Sequence, residues 1–97
     1  MITTKQRAFL RSLANTLDPI FQIGKGGINQ NLITSIDQAL ETRELIKISI
    51  LDNSESQVRE SCDTIANALN AESVQCIGRK FVIYRESKEN KRIELPR

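Results

Sequence analysis

The chain has 97 residues, 39% of them hydrophobic and 27% charged, the composition of one ordinary globular domain spanning residues 1–97. It holds no histidine, which excludes mixed Cys/His metal sites and Ser/His or Cys/His catalytic pairs. No run nears the roughly 18 apolar residues of a membrane span, and the N-terminus has neither the apolar stretch nor the cleavage site of a secretory signal, so a cytoplasmic location is expected.

Thr3 and Gln6 have the spacing of a capping box, in which each side chain satisfies a free N–H of the first helical turn. Phe9, Leu10, Leu13, Ala14 and Leu17 then recur at helical spacing and predict an amphipathic helix over 4–17, with Lys5, Arg7 and Arg11 largely off its apolar stripe. Asp18-Pro19 stops that helix, because the residue before proline is pushed out of the α region. Ile20 to Ile23 reads as a short strand and leads into Gly24-Lys25-Gly26-Gly27. Asn29 is the expected N-cap of a second helix, over 29–40, whose apolar face is Leu32, Ile33, Ile36, Ala39 and Leu40. From Glu44 to Leu51, Ile46, Ile48 and Ile50 alternate with Lys47 and Ser49, the pattern of a strand buried on one side. Asp52-Asn53-Ser54 is turn chemistry. A third helix runs to Leu69 and buries Val58, Cys62, Ile65, Ala66 and Leu69. Ser73–Ile77 and Lys80–Arg85 form a hairpin about Gly78-Arg79. The charged tail ends in Ile93-Glu94-Leu95-Pro96, an extended segment expected to pack.

The order α-β-α-β-α-β-β predicts an α/β (α+β) two-layer sandwich with a four-stranded mixed sheet. Its parallel neighbours come from strand–helix–strand units, and the closing hairpin adds one antiparallel strand. Polar positions Lys47, Ser49, Ser73 and Gln75 imply that one sheet face is only partly covered. Cys62 and Cys76 match no zinc or redox spacing and are read as reduced, small buried hydrophobes. Phe9, Phe21 and Phe81 read as core, with Tyr84 the one aromatic expected to be accessible.

The glycine turn is the most informative local feature. Its glycines permit positive φ and close approach of another backbone, and it feeds a helix N-terminus whose free N–H groups favour an anion. Lys25 adds charge at the same spot, so a phosphodiester is the natural guest, as for the GXXG loop of KH domains. A tight turn needing glycine for geometry alone explains the motif equally well. The P-loop and dinucleotide fingerprints are absent. Charge divides along the chain: residues 1–40 carry four bases and two acids, 41–78 three bases and seven acids, and 79–97 seven bases and three acids. Should the basic ends meet, one face attracts a polyanion and the other repels it. Scattered carboxylates, with Glu41 and Glu44 read as solvated at a helix end, give catalysis no constellation. Neither an enzyme nor a bound cofactor or metal is expected.

Five separated motifs resemble one family. They are Gln22-Ile23-Gly24-Lys25-Gly26-Gly27, Glu44-Leu45-Ile46-Lys47-Ile48, Val74-Gln75-Cys76-Ile77-Gly78-Arg79, Ile83-Tyr84-Arg85 and Ile93-Glu94-Leu95-Pro96-Arg97, with Leu10-Arg11 in the first helix beside them. The sequence resembles the CRM domain (chloroplast RNA splicing and ribosome maturation) in its stand-alone bacterial YhbY-type form. The resemblance implies a fold like the C-terminal domain of translation initiation factor three, RNA binding, and association with precursors of the large ribosomal subunit during assembly. It also implies an RNA surface made of Gly24, Lys25, Gly26 and Gly27, extended by Arg7, Arg11, Lys47, Arg79 and Lys80, on a protein expected to be monomeric. The alternative reading is a protein-interaction module that docks on ribosomal proteins or assembly factors through its acidic middle. A binder of small phosphorylated metabolites is the remote third.

Overall fold

The computed structural model describes residues 2–24, 26–51 and 55–97. Lys25 and the Asp52-Asn53-Ser54 turn lie outside them. Helix α1 (Thr4–Ala14) opens with the capping box in place: Gln6 N–H donates to Thr3 Oγ1 at 3.0 Å, and Thr3 N–H to Gln6 Oε1 at 2.9 Å. It ends three residues before the predicted stop, with Leu17 N–H donating back to the Ala14 carbonyl as the chain turns toward Pro19. Then follow β1 (Phe21–Ile23), α2 (Gln30–Arg43), β2 (Leu45–Ile50), α3 (Glu55–Leu69), β3 (Glu72–Ile77) and β4 (Lys80–Tyr84). Asn29 caps α2 by accepting from Leu32 N–H at 2.8 Å.

The four strands form one mixed sheet in the order β1-β2-β4-β3. β1 and β2 are parallel neighbours joined through α2, as the element order implies. The second strand–helix–strand unit departs from that rule. β2 and β3 are separated by β4, which is antiparallel to both. The α3 crossover leaves a slot one strand wide, and the hairpin at Gly78-Arg79 folds back into it. Gly78 takes φ +58 there, in the left-handed region a two-residue hairpin turn requires.

Alternation sends Ile46, Ile48, Ile50, Phe81 and Ile83 to one face, where they pack with Ile36 and Leu40 of α2 and Val58, Cys62 and Ile65 of α3. The opposite face carries Leu45, Val74, Val82 and Tyr84 beneath Leu10 and Ala14 of α1, with Ile93 and Leu95 of the tail against them. The two-layer plan therefore gains a partial third layer, and the extended tail does pack. The tail is pinned to α1 by Gln6 Nε2 donating to the Pro96 carbonyl (3.0 Å) and Lys5 Nζ to the Arg97 carbonyl (3.1 Å).

Tyr84 corrects the sequence reading. It is 4% exposed, and burial, with the nearby Glu44 and Glu86 charges, pushes its phenol up to about 12. The end of β4, which carries Tyr84, lies under α1 and the tail. Glu41 and Glu44 correct it further. They are not a solvated helix end. Glu44 is fully buried and accepts from the backbone N–H groups of Ser87, Arg92 and Ile93 at 2.8, 2.6 and 2.8 Å. Glu41 accepts from Ser87 Oγ (2.7 Å) and the N–H groups of Lys88 and Glu89 (both 3.1 Å). Together they clamp the start of the tail.

Cys62 is buried in α3 and Cys76 half-buried on β3, both free. Burial is the main cause raising the Cys62 thiol to about 12. A buried thiol held well above its ordinary value presents little thiolate, so alkylation by iodoacetamide at pH 8 should spare Cys62 until denaturant unfolds the chain. Rapid labelling of the native protein at Cys62 would contradict its burial.

Candidate nucleic-acid interface

β1 and β2 run parallel and finish at Ile23 and Ile50, while β3 ends and β4 begins at the Ile77–Lys80 pair. The glycine turn, the residues after β2 and the Gly78-Arg79 hairpin therefore share one end of the sheet. Leu51 N–H donates to the Ile23 carbonyl (3.0 Å) and Ile50 N–H to the Arg79 carbonyl (2.7 Å), which ties the three segments together. The glycine turn closes when Gly27 N–H donates to the Gly24 carbonyl at 3.0 Å. Gly27 holds φ +70, so a side chain there is strained. At Gly26, by contrast, a Cβ would meet nothing within 4 Å and the φ is ordinary. Glycine at 27 is thus explained by backbone geometry, whereas Gly26 faces open space.

From that end a basic path runs over the partly covered face. Lys47 on β2 and Lys80 on β4 point to the same side, since Lys47 pairs with Val82 and Lys80 with Ser49. Diagonal neighbours of this kind stand roughly 7–8 Å apart. Asn15 at the end of α1 joins Lys47, Gln75, Ile77, Lys80 and Val82 around a shallow groove. Arg11 is exposed one helical turn before Asn15. Among the described residues no carboxylate lies within 4 Å of Arg11, Lys47, Arg79 or Lys80, so no ion pair among those residues neutralises them.

Arg7 is not brought to this end of the sheet. Its Nε donates to the Ser73 carbonyl at 3.1 Å near the start of β3, which makes it a tie between α1 and the sheet. Arg85 is likewise engaged, with Nη1 at 2.7 Å from Asp37 Oδ1 and 3.1 Å from the Leu69 carbonyl. Gln75 was expected on this partly covered face, whereas Asn15 and Ile77 were not singled out by sequence. A bulge between Ser73 and Gln75 shifts the register of β3, so Ser73, expected on this face, pairs with Ile83 and turns to the other one while Gln75 and Ile77 stay, which strict alternation cannot reveal. All four aromatics are at least half-buried, so no ring is presented for base stacking.

The basic chain ends meet on the sheet face that α1 and the tail share, while α3, with Glu60 and Asp63, covers the opposite one. Fold and surface together define a small α+β domain with a glycine turn at one end of a mixed sheet and one basic face. The chain belongs to the CRS1/YhbY (CRM) domain family, whose model matches residues 2–85. It is 52% identical to "Probable RNA-binding protein YqeI" of Bacillus subtilis over 96 residues, covering 99% of this chain and 100% of that one. It is 35% identical to an "RNA-binding protein" of Haemophilus influenzae, covering 99% and 96%. The solution structure of hypothetical protein SAV1595 from Staphylococcus aureus is 58% identical, with a TM-score of 0.86 over 99% of this chain and 100% of that one. No helix among the described residues is long and apolar enough to cross a membrane.

Proposed function

We propose that this chain is a single-domain RNA-binding protein of the cytoplasm that grips the phosphate backbone with its glycine turn and basic face. Its RNA would be that of large-subunit ribosomal precursors, and it would assist their assembly without catalysing a reaction or carrying a cofactor. The observation that carries the reading is the gathering of the glycine turn, the Gly78-Arg79 hairpin and uncommitted cations at one end and one face of the sheet. The family and the names of its relatives support RNA as the partner, and the family resemblance supports the ribosomal setting. Gly24, Lys25, Gly26 and Gly27 form the clamp, and Lys47, Arg79, Lys80 and Arg11 extend the track. Arg7 contributes mainly by holding α1 on the sheet.

The salt dependence of RNA affinity tests the backbone grip. If about three phosphates are engaged, the log–log slope for single-stranded RNA should be near −2, and affinity should fall roughly 20-fold between 50 and 200 mM salt. Lys25→Ala should flatten the slope and weaken binding alike for all sequences. A slope near zero would point instead to recognition without phosphate contacts, as a protein-docking module would give.

A further inference from the structure

Between the glycine turn and the first turns of α3 lies an open cleft of about 620 Å³. That falls within the roughly 300–1,000 Å³ of small-ligand sites. Its walls are Ile23, Ile28, Ile50 and Leu51, and α3 adds Gln57 and Ser61. Gly24 and Gly27 belong to both the turn and the cleft. Gln57 is exposed, Ser61 half-buried, and the two stand one helical turn apart on the same side of α3. Leu51, 53% exposed, is a large apolar side chain left facing solvent at the cleft. No charged side chain is among the described lining residues, in contrast to the basic path across the sheet.

We propose that this cleft receives one nucleobase of the RNA whose backbone the glycine turn holds, an inference that rests on the function proposed above. Apolar walls with no cation among the described lining residues suit a neutral heterocycle better than a phosphate. A glutamine amide offers both a donor and acceptors, and a serine hydroxyl does the same, which matches the mixed donors and acceptors on a base's Watson–Crick edge. With no side chain at position 24 that wall of the cleft stays open, and a Cβ there would make only ordinary van der Waals contact with Leu51 Cδ1, at 3.5 Å. With every ring of the protein at least half-buried, the base is recognised by its edge and by aliphatic contact. The turn supplies affinity and the cleft supplies choice.

The test compares the full chain with a Gln57→Ala, Ser61→Ala variant and with Leu51→Ser, using oligo(U), oligo(A) and oligo(C) of equal length. All three changes fall on exposed or half-exposed positions. Wild type should prefer one oligomer. The double variant should bind that oligomer roughly tenfold more weakly, from two lost hydrogen bonds, with the order of preference levelled and the salt slope unchanged. Leu51→Ser should weaken all three oligomers, again at constant slope. An uncharged nucleoside should shift the NMR methyl signals of Ile50 and Leu51, whereas inorganic phosphate should not. If the variants keep wild-type affinities and preferences while Gly26→Asp still weakens binding, the cleft holds no base and the backbone grip stands alone. If wild type binds none of the oligomers, the RNA-binding reading fails and this inference falls with it.

Discussion

Replacing Phe81 by alanine is expected to remove about 3–5 kcal/mol of stability. Phe81 sits on β4, which is flanked by β2 and β3, and it is fully buried against α2 and α3. Its Cα partners are Ile48 on one side and Cys76 on the other, so the lost ring leaves a cavity between three strands and two helices. Elements pinned on two sides cannot collapse into that cavity, and the loss should therefore fall at the upper end of the range. A domain of this size has only roughly 5–15 kcal/mol in hand. Urea denaturation should show a much lower midpoint with an unchanged slope. A loss below about 1 kcal/mol, ordinary for a surface site, would mean that the hairpin is not part of the core.

Glu44→Ala is the second large effect, and its origin is polar. Glu44 holds φ +68, an unfavourable conformation for a side-chain-bearing residue, and its carboxylate takes three backbone N–H bonds from the tail. Removing it frees those donors and unpins the segment that delivers Ile93 and Leu95 to the second core cluster. The expected cost is about 2–4 kcal/mol. Burial alone would raise the Glu44 carboxyl, but the N–H groups of Ser87, Arg92 and Ile93, with the Lys91 charge, outweigh it and hold the group below its ordinary value. A carboxyl lowered in the folded state stabilises the fold at pH above its unfolded value of about 4.3. That contribution disappears as pH falls from there through the folded value. Glu41 is lowered too, chiefly by Ser87 Oγ and the Lys88 and Glu89 N–H groups. Glu44→Gln should thus reduce stability at neutral pH and flatten, without abolishing, the loss on acidification. Equal acid sensitivity in wild type and Glu44→Gln would show that the carboxylate is not clamped.

The features legible in the sequence were those set by local chemistry. The Thr3/Gln6 box, the Asn29 cap, the isoleucine alternation of β2 and the Gly78-Arg79 turn each have a short-range cause, and each element stands where that cause puts it. What stayed hidden depends on distant partners. The insertion of β4 between β2 and β3 is a choice among pairings that local pattern leaves open. Glu44 reads as a solvated acid until the tail, more than forty residues later, delivers three N–H groups to it. Tyr84 reads as accessible until α1 and the tail cover it. The basic track was partly legible. Arg79 and Lys80 lie at the glycine end and Lys47 on the face that runs from it, whereas Arg7 is drawn to Ser73 by a carbonyl no periodicity foretells.

The affinity of a Gly26→Asp variant for ribosomal RNA tests the backbone grip most directly. A Cβ at 26 meets nothing within 4 Å, so thermal unfolding should match wild type. Where a phosphate is held, the new carboxylate repels it. The account predicts a folded variant with affinity at least roughly tenfold weaker, a penalty that grows as salt is lowered. A folded Gly26→Asp, Lys25→Ala double variant that binds ribosomal RNA as tightly as wild type, with the same salt slope, would contradict it and leave the glycines as a turn alone.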